Sequence, residues 1–305
     1  MKNNVYVRSK RSIKNITLLR IVLLLPLIIY GVYKNGIYLY INKYTNILGL
    51  FKPLVFILIG ALIGAIVNIL YEYIIKRNKD KLIDVIFSSF HVEYGMLLGC
   101  IASLNTNLII YSSVIFVVFI ISKFLKNRIN TICFIFIIIY VLQYYLFGGF
   151  SYLNAYDTSR VFNFDFMDYM VGRGEGGIAT THIILLIISL LGITITNNNK
   201  TNISISAIVT SLAIFSIYAI ISNNNVGTIL LQNSYIFLFT YVATDYVTSS
   251  YTPNGQVIFG ILVGCITFGL YFVNPILAPY ISIIIVSLLN NLIDRVTNKL
   301  NNNTK

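Results

Sequence analysis

Residues 243–255 form the densest polar group in an otherwise apolar chain: Ala243-Thr244-Asp245-Tyr246-Val247-Thr248-Ser249-Ser250-Tyr251-Thr252-Pro253-Asn254-Gly255. Asp245 closes an apolar run, and the hydroxyls of Thr244, Thr248, Ser249 and Ser250 surround it in sequence. An ionisable residue at such a place is costly to keep and marks a functional position. The plainer alternative is an interfacial carboxylate whose hydroxyl neighbours cap a helix. A second polar focus lies in 148–175, where Asp157, Asp165, Asp168 and Glu175 stand against Arg160 and Arg173. It holds Gly148-Gly149-Phe150-Ser151 and runs into Val171-Gly172-Arg173-Gly174-Glu175-Gly176-Gly177. Such glycines let backbone N–H groups approach an anionic ligand at a helix start, or they make a plain flexible loop. Glu175 at a helix start also compensates the helix dipole. His91 and His182 lack metal-ligand spacing, and Cys100, Cys133 and Cys265 lie in apolar stretches without a CxxC pair, so no metal site is expected. Arg20 either snorkels from the first apolar run or pairs internally, and Asp294 is either a buried partner or a juxtamembrane charge beside Arg295. No phosphate-binding loop, Ser/His/Asp set or haem-attachment motif is visible, which leaves hydrolysis and ATP-driven transport without support.

The elements that must position these groups follow from composition. The chain has 305 residues, 57% of them hydrophobic and 10% charged, with a mean hydropathy of +0.81. Soluble domains carry about 25% charged residues, so an all-α polytopic membrane protein is expected. The formal charge of +12 would suggest nucleic acid in a soluble protein. Here the basic residues sit between apolar runs and read as orientation signals, and no nucleic-acid partner is expected.

A bilayer core of about 30 Å needs roughly 20 helical residues per crossing. Crossings are expected near 17–36, 54–75, 91–105, 107–125, 130–148, 176–196, 202–222, 229–245, 256–273 and 275–293. A basic segment, 1–16, precedes them and a tail, 294–305, follows. No signal-peptide cleavage site follows the first run. Alternation from a cytoplasmic N-terminus puts Lys2, Arg8, Lys10, Arg11, Lys14, Lys76, Arg77, Lys79, Lys81, Lys123, Lys126, Arg128, Lys200, Arg295, Lys299 and Lys305 inside. Lys34, Lys43, Lys52, Arg160 and Arg173 fall outside. The inside excess supports this topology, with both termini in the cytoplasm.

The third crossing is short, as is the apolar part of the eighth. Both break into polar turns, at 102–107 and 243–250. Irregular backbone at membrane depth survives only when protein or a cavity covers it, so both read as interrupted or re-entrant helices. They occupy matching places in two five-helix halves, about 17–148 and 176–293, joined by an extracytoplasmic loop of about 149–175. An odd number of crossings per half implies inverted repeats with a site at their interface.

The polar group at 243–255 also carries a family pattern. Ala243-Thr244-Asp245, Val247-Thr248-Ser249, Thr252-Pro253, Gly255-Gln256, Ile258-Phe259-Gly260 and Gly264 resemble the RnfD/NqrB signature, approximately ATDPVTSPxTPxGxxxFGxxxG. Leu288-Leu289-Asn290-Asn291-Leu292-Ile293-Asp294 is similar to the family's LLxNxxxPxID ending. Weaker likenesses cover Arg11 to Gly31, Tyr94-Gly95-Met96-Leu97-Leu98-Gly99, Asn127-Arg128-Ile129-Asn130 and Gly172-Arg173-Gly174-Glu175. Tyr246 stands where the family has proline after ATD, and Thr131 replaces the proline after Asn130. The flavin-attachment motif DxxSGAT is not intact. One register sets Gly148 to Leu153 against SGATPL, with Ser151 at the attachment position and Tyr145 at the motif's Asp; another uses Ile178-Ala179-Thr180.

The resemblance implies a membrane subunit of an Rnf-type ion-translocating electron-transport complex. It implies FMN, covalent at Ser151 or Thr180 if the degenerate motif is read by a flavin transferase, and room for a second flavin. The family's site residues fall on Asn130, Glu175, Thr244, Asp245 and Thr248, as flavin or cation contacts. Partners would be flavin and iron–sulfur subunits, and the chain would not be catalytic alone. Two other readings stand beside it: a small-solute channel of urea-transporter-like architecture, and a scaffold subunit that has lost its cofactor.

Overall fold

The computed structural model describes residues 12–77, 81–124, 129–153, 155–156, 165–196, 200–222, 231 and 234–303. Among them every regular element is helical. The first half contains α1 (Ile13–Ile41), α2 (Ile47–Ile75), a single turn α3 (Leu82–Ile86), α4 (His91–Ile101), α5 (Leu108–Phe124) and α6 (Thr131–Phe147). The second contains the short α7 (Phe166–Met170), α8 (Ile183–Ile195), α9 (Thr201–Ser222), α10 (235–242), α11 (Pro253–Tyr271) and α12 (Ala278–Asn303). Five helices, α1, α2, α9, α11 and α12, are long and apolar enough to cross a membrane, and α5, α6 and α8 are shorter apolar helices. The protein is an all-α polytopic membrane protein.

Local chemistry explains the helix starts. Ser12, Asn130, His182 and Thr252 each accept a hydrogen bond from the backbone N–H three residues on, at 3.1–3.3 Å. These side chains satisfy donors that a helix leaves unpaired at its first turn. Pro253, with no N–H to satisfy, follows Thr252 at the start of α11.

The expected interruptions are present. α4 has 11 residues, which at 1.5 Å per residue reach about 16 Å, half a bilayer core. It stops at Ala102, whose ψ of 149° turns the chain out of the helix. α10 is one α-turn, Tyr235–Phe237, continued by a π-turn, Leu238–Val242. Every residue from Tyr235 to Val242 is buried, as are all residues of α4 except Met96. Both short helices therefore sit inside the protein, shielded from lipid.

Several boundaries differ from the hydropathy reading. α1 extends to Ile41 through a π-turn at Tyr33–Tyr38. α8 begins at Ile183 rather than near 176, because 176–182 is drawn into contact with the end of α4 instead of winding. α12 runs to Asn303 into the expected tail. The start of the eighth expected crossing and Asp157 and Arg160 of the long loop lie outside the described residues.

Two apolar helices, a short buried one, then two more apolar helices recur in both halves. α2 packs along α4 and α5, and α9 along α11, while α1 meets α8 and α6 meets α12 across the halves. Two of these seams need glycine. A Cβ on Gly60 of α2 would meet the Gly95 carbonyl oxygen of α4 at 2.1 Å, and one on Gly64 would meet the His91 carbonyl oxygen at 2.3 Å. In the second half a Cβ on Gly260 would lie 2.5 Å from the Ile203 carbonyl oxygen of α9. Small residues four apart let helix backbones touch, which is how helices associate in lipid without a hydrophobic driving force.

Gly60→Ala should force α2 and α4 apart at a cost of about 1–3 kcal/mol. Gly269→Ala in α11, where a Cβ meets nothing within 4 Å, should leave stability unchanged or slightly raised. Thermal unfolding of the two variants in detergent tests the contrast, and equal behaviour would refute the close-contact account.

Candidate functional site

The site is built where the C-terminal end of α10 meets α1, α4 and α6. Beyond α10 the backbone supplies little to its last carbonyls; Val242 takes the Asp245 N–H at 3.3 Å. Arg20 of α1 donates through Nη2 to the Tyr241 carbonyl at 2.5 Å. Asn130, already the N-cap of α6, donates through Nδ2 to the Val242 carbonyl at 3.0 Å. A cation at a helix C-terminus also opposes the helix dipole.

Arg20 has a second partner. Its Nε lies 2.7 Å from Glu93 Oε1, with side-chain exposures of 2% and 1%. The next residue of α4, Tyr94, donates its hydroxyl to Asp245 Oδ1. Thr248 donates to Asp245 Oδ2 at 2.8 Å, and Asn130 Nδ2 reaches Thr248 Oγ1 at 3.4 Å. Two consecutive residues of one short helix thus engage the arginine and the carboxylate at the end of the other. Neither Glu93 carboxylate oxygen makes a hydrogen bond among the described residues, so Oε1 meets Arg20 as an ion pair alone. Arg20 answers one of the two carboxylates, and a second positive charge near Asp245 comes from Lys200.

Lys200 lies at the margin of this cluster. Its Nζ donates to the Ser249 carbonyl at 2.6 Å and the Tyr246 carbonyl at 3.3 Å. Burial pushes this ammonium down to about 8, while the Asp245 and Asp294 carboxylates pull it upward. Asp294 accepts from Ser250 and from the Tyr251 N–H, so it ties α12 to the polar segment instead of pairing with Arg295. Tyr246, at the position of the signature's proline, stacks on Phe90 at 5.8 Å, and Phe90 stacks on Tyr94 at 6.1 Å. The departure from the signature thus adds a ring to an aromatic stack beside Asp245.

The glycine-rich segment is arranged differently from an anion cradle. The N–H groups of Ile178 and Ala179 donate to the Ala102 and Cys100 carbonyls, satisfying the open end of α4, and Gly177 N–H donates to Ser234. Its carbonyls instead face a cation: Lys34 Nζ donates to Gly172 at 2.7 Å and Gly174 at 2.6 Å, and to Thr181 Oγ1 at 3.2 Å. Those three N–H groups are spent inside the protein.

Of the residues singled out from sequence, the structure brings Asn130, Asp245 and Thr248 into one cluster. Thr244 is buried beside them, with its hydroxyl donated back to the Thr240 carbonyl. Glu175 is half-buried on the glycine segment. Thr180 is 1% exposed, its Oγ1 at 2.5 Å from Ser234 Oγ. Ser151 is half-buried on the segment after α6. His91 lies between Ser89 and Ser122, at 2.7 and 2.9 Å. Among the described residues no three His, Cys, Asp or Glu side chains gather as metal ligands would.

Sequence reasoning did not single out Glu93. Its signal was that of an ionisable residue within an expected crossing, without the run of hydroxyls that surrounds Asp245. Lys34 and Lys200, read as orientation charges, are buried ligands of carbonyls. One belonged to each side, so the charge asymmetry stands.

The sequence model of the NQR2, RnfD, RnfE family matches residues 1–302. The chain belongs to this family. It is accordingly a membrane subunit of the Rnf/Nqr type, which places the buried cluster in a member of multi-subunit complexes. A search of curated proteins returned no match.

Arg20→Met should leave Glu93 buried without a counter-charge and cost about 3–5 kcal/mol, with Arg20→Met/Glu93→Leu recovering part of the loss. Thermal unfolding of the purified variants reads this directly. A double variant no more stable than the single one would show that packing rather than charge pairing holds the contact.

Proposed function

We propose that this chain carries electrons through FMN and couples their passage to Na⁺ or H⁺ movement within an Rnf-type complex of the bacterial cytoplasmic membrane. The observation that carries the coupling is the buried group of Arg20, Glu93, Tyr94 and Asp245 at the meeting of α4 with the end of α10. Paired acids at interrupted helices are the parts from which membrane proteins build ion pathways. Glu93 and Asp245 would hold the cation or proton, Arg20 would set how much charge the pair keeps, and Tyr94 and Thr248 would orient Asp245.

The segment after α6 suits covalent FMN at Ser151. Phe150 and Tyr152 are 9% and 3% exposed, and both pack inward, against Phe136 at 5.6 Å and beside the Tyr280 hydroxyl at 3.2 Å. The intervening Ser151 is held between two anchors without being buried itself. Gly148 and Gly149, with φ of 75° and 156°, have open space where a Cβ would stand. Thr180 is enclosed, and a transferase would have to unpack Ser234 to reach it. FMN would supply one-electron chemistry, while the protein supplies position and electrostatics. Flavin and iron–sulfur subunits would deliver and accept the electrons, with both chain termini in the cytoplasm. A scaffold role draws support from Tyr145, an 80% exposed ring where the attachment motif calls for Asp.

Co-expression with a flavin transferase, followed by a denaturing gel viewed under ultraviolet light, tests the reading. A fluorescent band is expected, abolished by Ser151→Ala and kept by Thr180→Ala. A dark band together with colourless native protein would remove the electron-carrying role and favour the scaffold or channel. In the assembled complex, Glu93→Gln and Asp245→Asn should each lower cation-coupled turnover by about 10-fold or more, as loss of one charged group worth at least 1.4 kcal/mol does.

A further inference from the structure

We propose that the cleft between the ends of α2 and α5 binds an anionic phospholipid, with an acyl chain along its floor and the phosphate between Lys76 and Lys123. This inference is independent of the electron-transfer reading. The cleft has a volume of about 280 Å³. Val67, Leu70 and Ile74 of α2 form one wall, and Ile120 and Phe124 of α5 form the other. Among the described residues, Tyr71 and Lys123 are the polar side chains that line it.

The mouth is cationic. Lys76 Nζ and Lys123 Nζ stand 5.0 and 5.1 Å from the centroid of the same Tyr71 ring. One carboxylate serves both: Glu72, 2.9 Å from Lys76. The hydrogen-bond acceptor of Lys123 is a hydroxyl, Ser89 Oγ at 2.8 Å. Arg77 follows Lys76 as an exposed residue. Among the described residues two ammonium groups face one carboxylate, one positive charge in excess, and a phosphodiester carries one negative charge. Lys123 is only partly buried and Lys76 is exposed, so a headgroup has access to both. Basic groups at the rim of an apolar cleft between membrane helices are what anionic headgroups bind. A neutral lipid would fill the floor equally well but leave the charge unanswered. The apolar groove between α8 and α9, around Leu186 and Leu212, provides the contrast, since among the described residues no charged side chain lines it.

The chain has no tryptophan, so one introduced tryptophan reports alone. Phe124 is 61% exposed, and Phe124→Trp places the reporter at the cleft. The full chain is reconstituted in phosphatidylcholine vesicles containing increasing fractions of brominated phosphatidylglycerol, and separately of brominated phosphatidylcholine. Quenching should show phosphatidylglycerol preferred by about 5-fold or more over phosphatidylcholine. Adding Lys123→Gln should remove about 5-fold of the preference, the effect of one cation at a membrane surface, whereas Lys123→Arg should retain it. Leu212→Trp, in the uncharged groove, should show no preference. Equal quenching of Phe124→Trp by the two lipids would overturn the proposal, leaving an ordinary lipid contact. Absence of quenching by either would also overturn it, because protein would then cover the cleft.

Discussion

A helix that stops inside a membrane leaves carbonyl groups with no water to bond, and this fold is arranged around satisfying two such ends. At the end of α4 the Ile178 and Ala179 N–H groups take the Ala102 and Cys100 carbonyls. At the end of α10 Arg20 and Asn130 take the Tyr241 and Val242 carbonyls. The two solutions differ in chemistry. The first is backbone to backbone and neutral, and it requires the preceding stretch, 176–182, to remain unwound. The second brings in a guanidinium, and the guanidinium brings charge.

That charge shapes the rest of the site. A buried Arg20 needs an anion, and Glu93 on α4 supplies it at 2.7 Å. The same helix then offers Tyr94 to Asp245, so the two broken helices are bound through consecutive residues. Close contact makes this geometry available: the Gly60 and Gly95 backbones touch, setting α4 deep against α2. Glycine at the seam and charge at the centre are two parts of one arrangement. The polar cluster adds specificity more than stability, since a buried ion pair rarely outperforms an apolar replacement of the same volume.

Lysines play a parallel part farther out. Lys34 gathers the Gly172 and Gly174 carbonyls, and Lys200 gathers those of Tyr246 and Ser249. Each ammonium binds a segment that could not otherwise remain irregular in an apolar setting. Both occur where hydropathy reading treats a lysine as a loop marker, and the difference matters for chemistry: these cations stabilise the breaks and set the electrostatic background of the nearby carboxylates.

Hydropathy alone determined the helical class, the approximate crossings and the two interruptions, because apolar run length and its loss are local properties of the chain. Spacing within 243–264 determined the family resemblance, which the match over 1–302 bears out. Tertiary structure alone decided that Glu93 meets Arg20, that glycine N–H groups serve α4, and that Lys123 and Lys76 share one ring. In each of these cases the deciding quantity is which group faces an unsatisfied partner. Residues 73 or more positions apart, such as Arg20 and Glu93, acquire that relation only when helices pack. A buried charge and a loop charge are the same letter in sequence, and only the folded surroundings distinguish them.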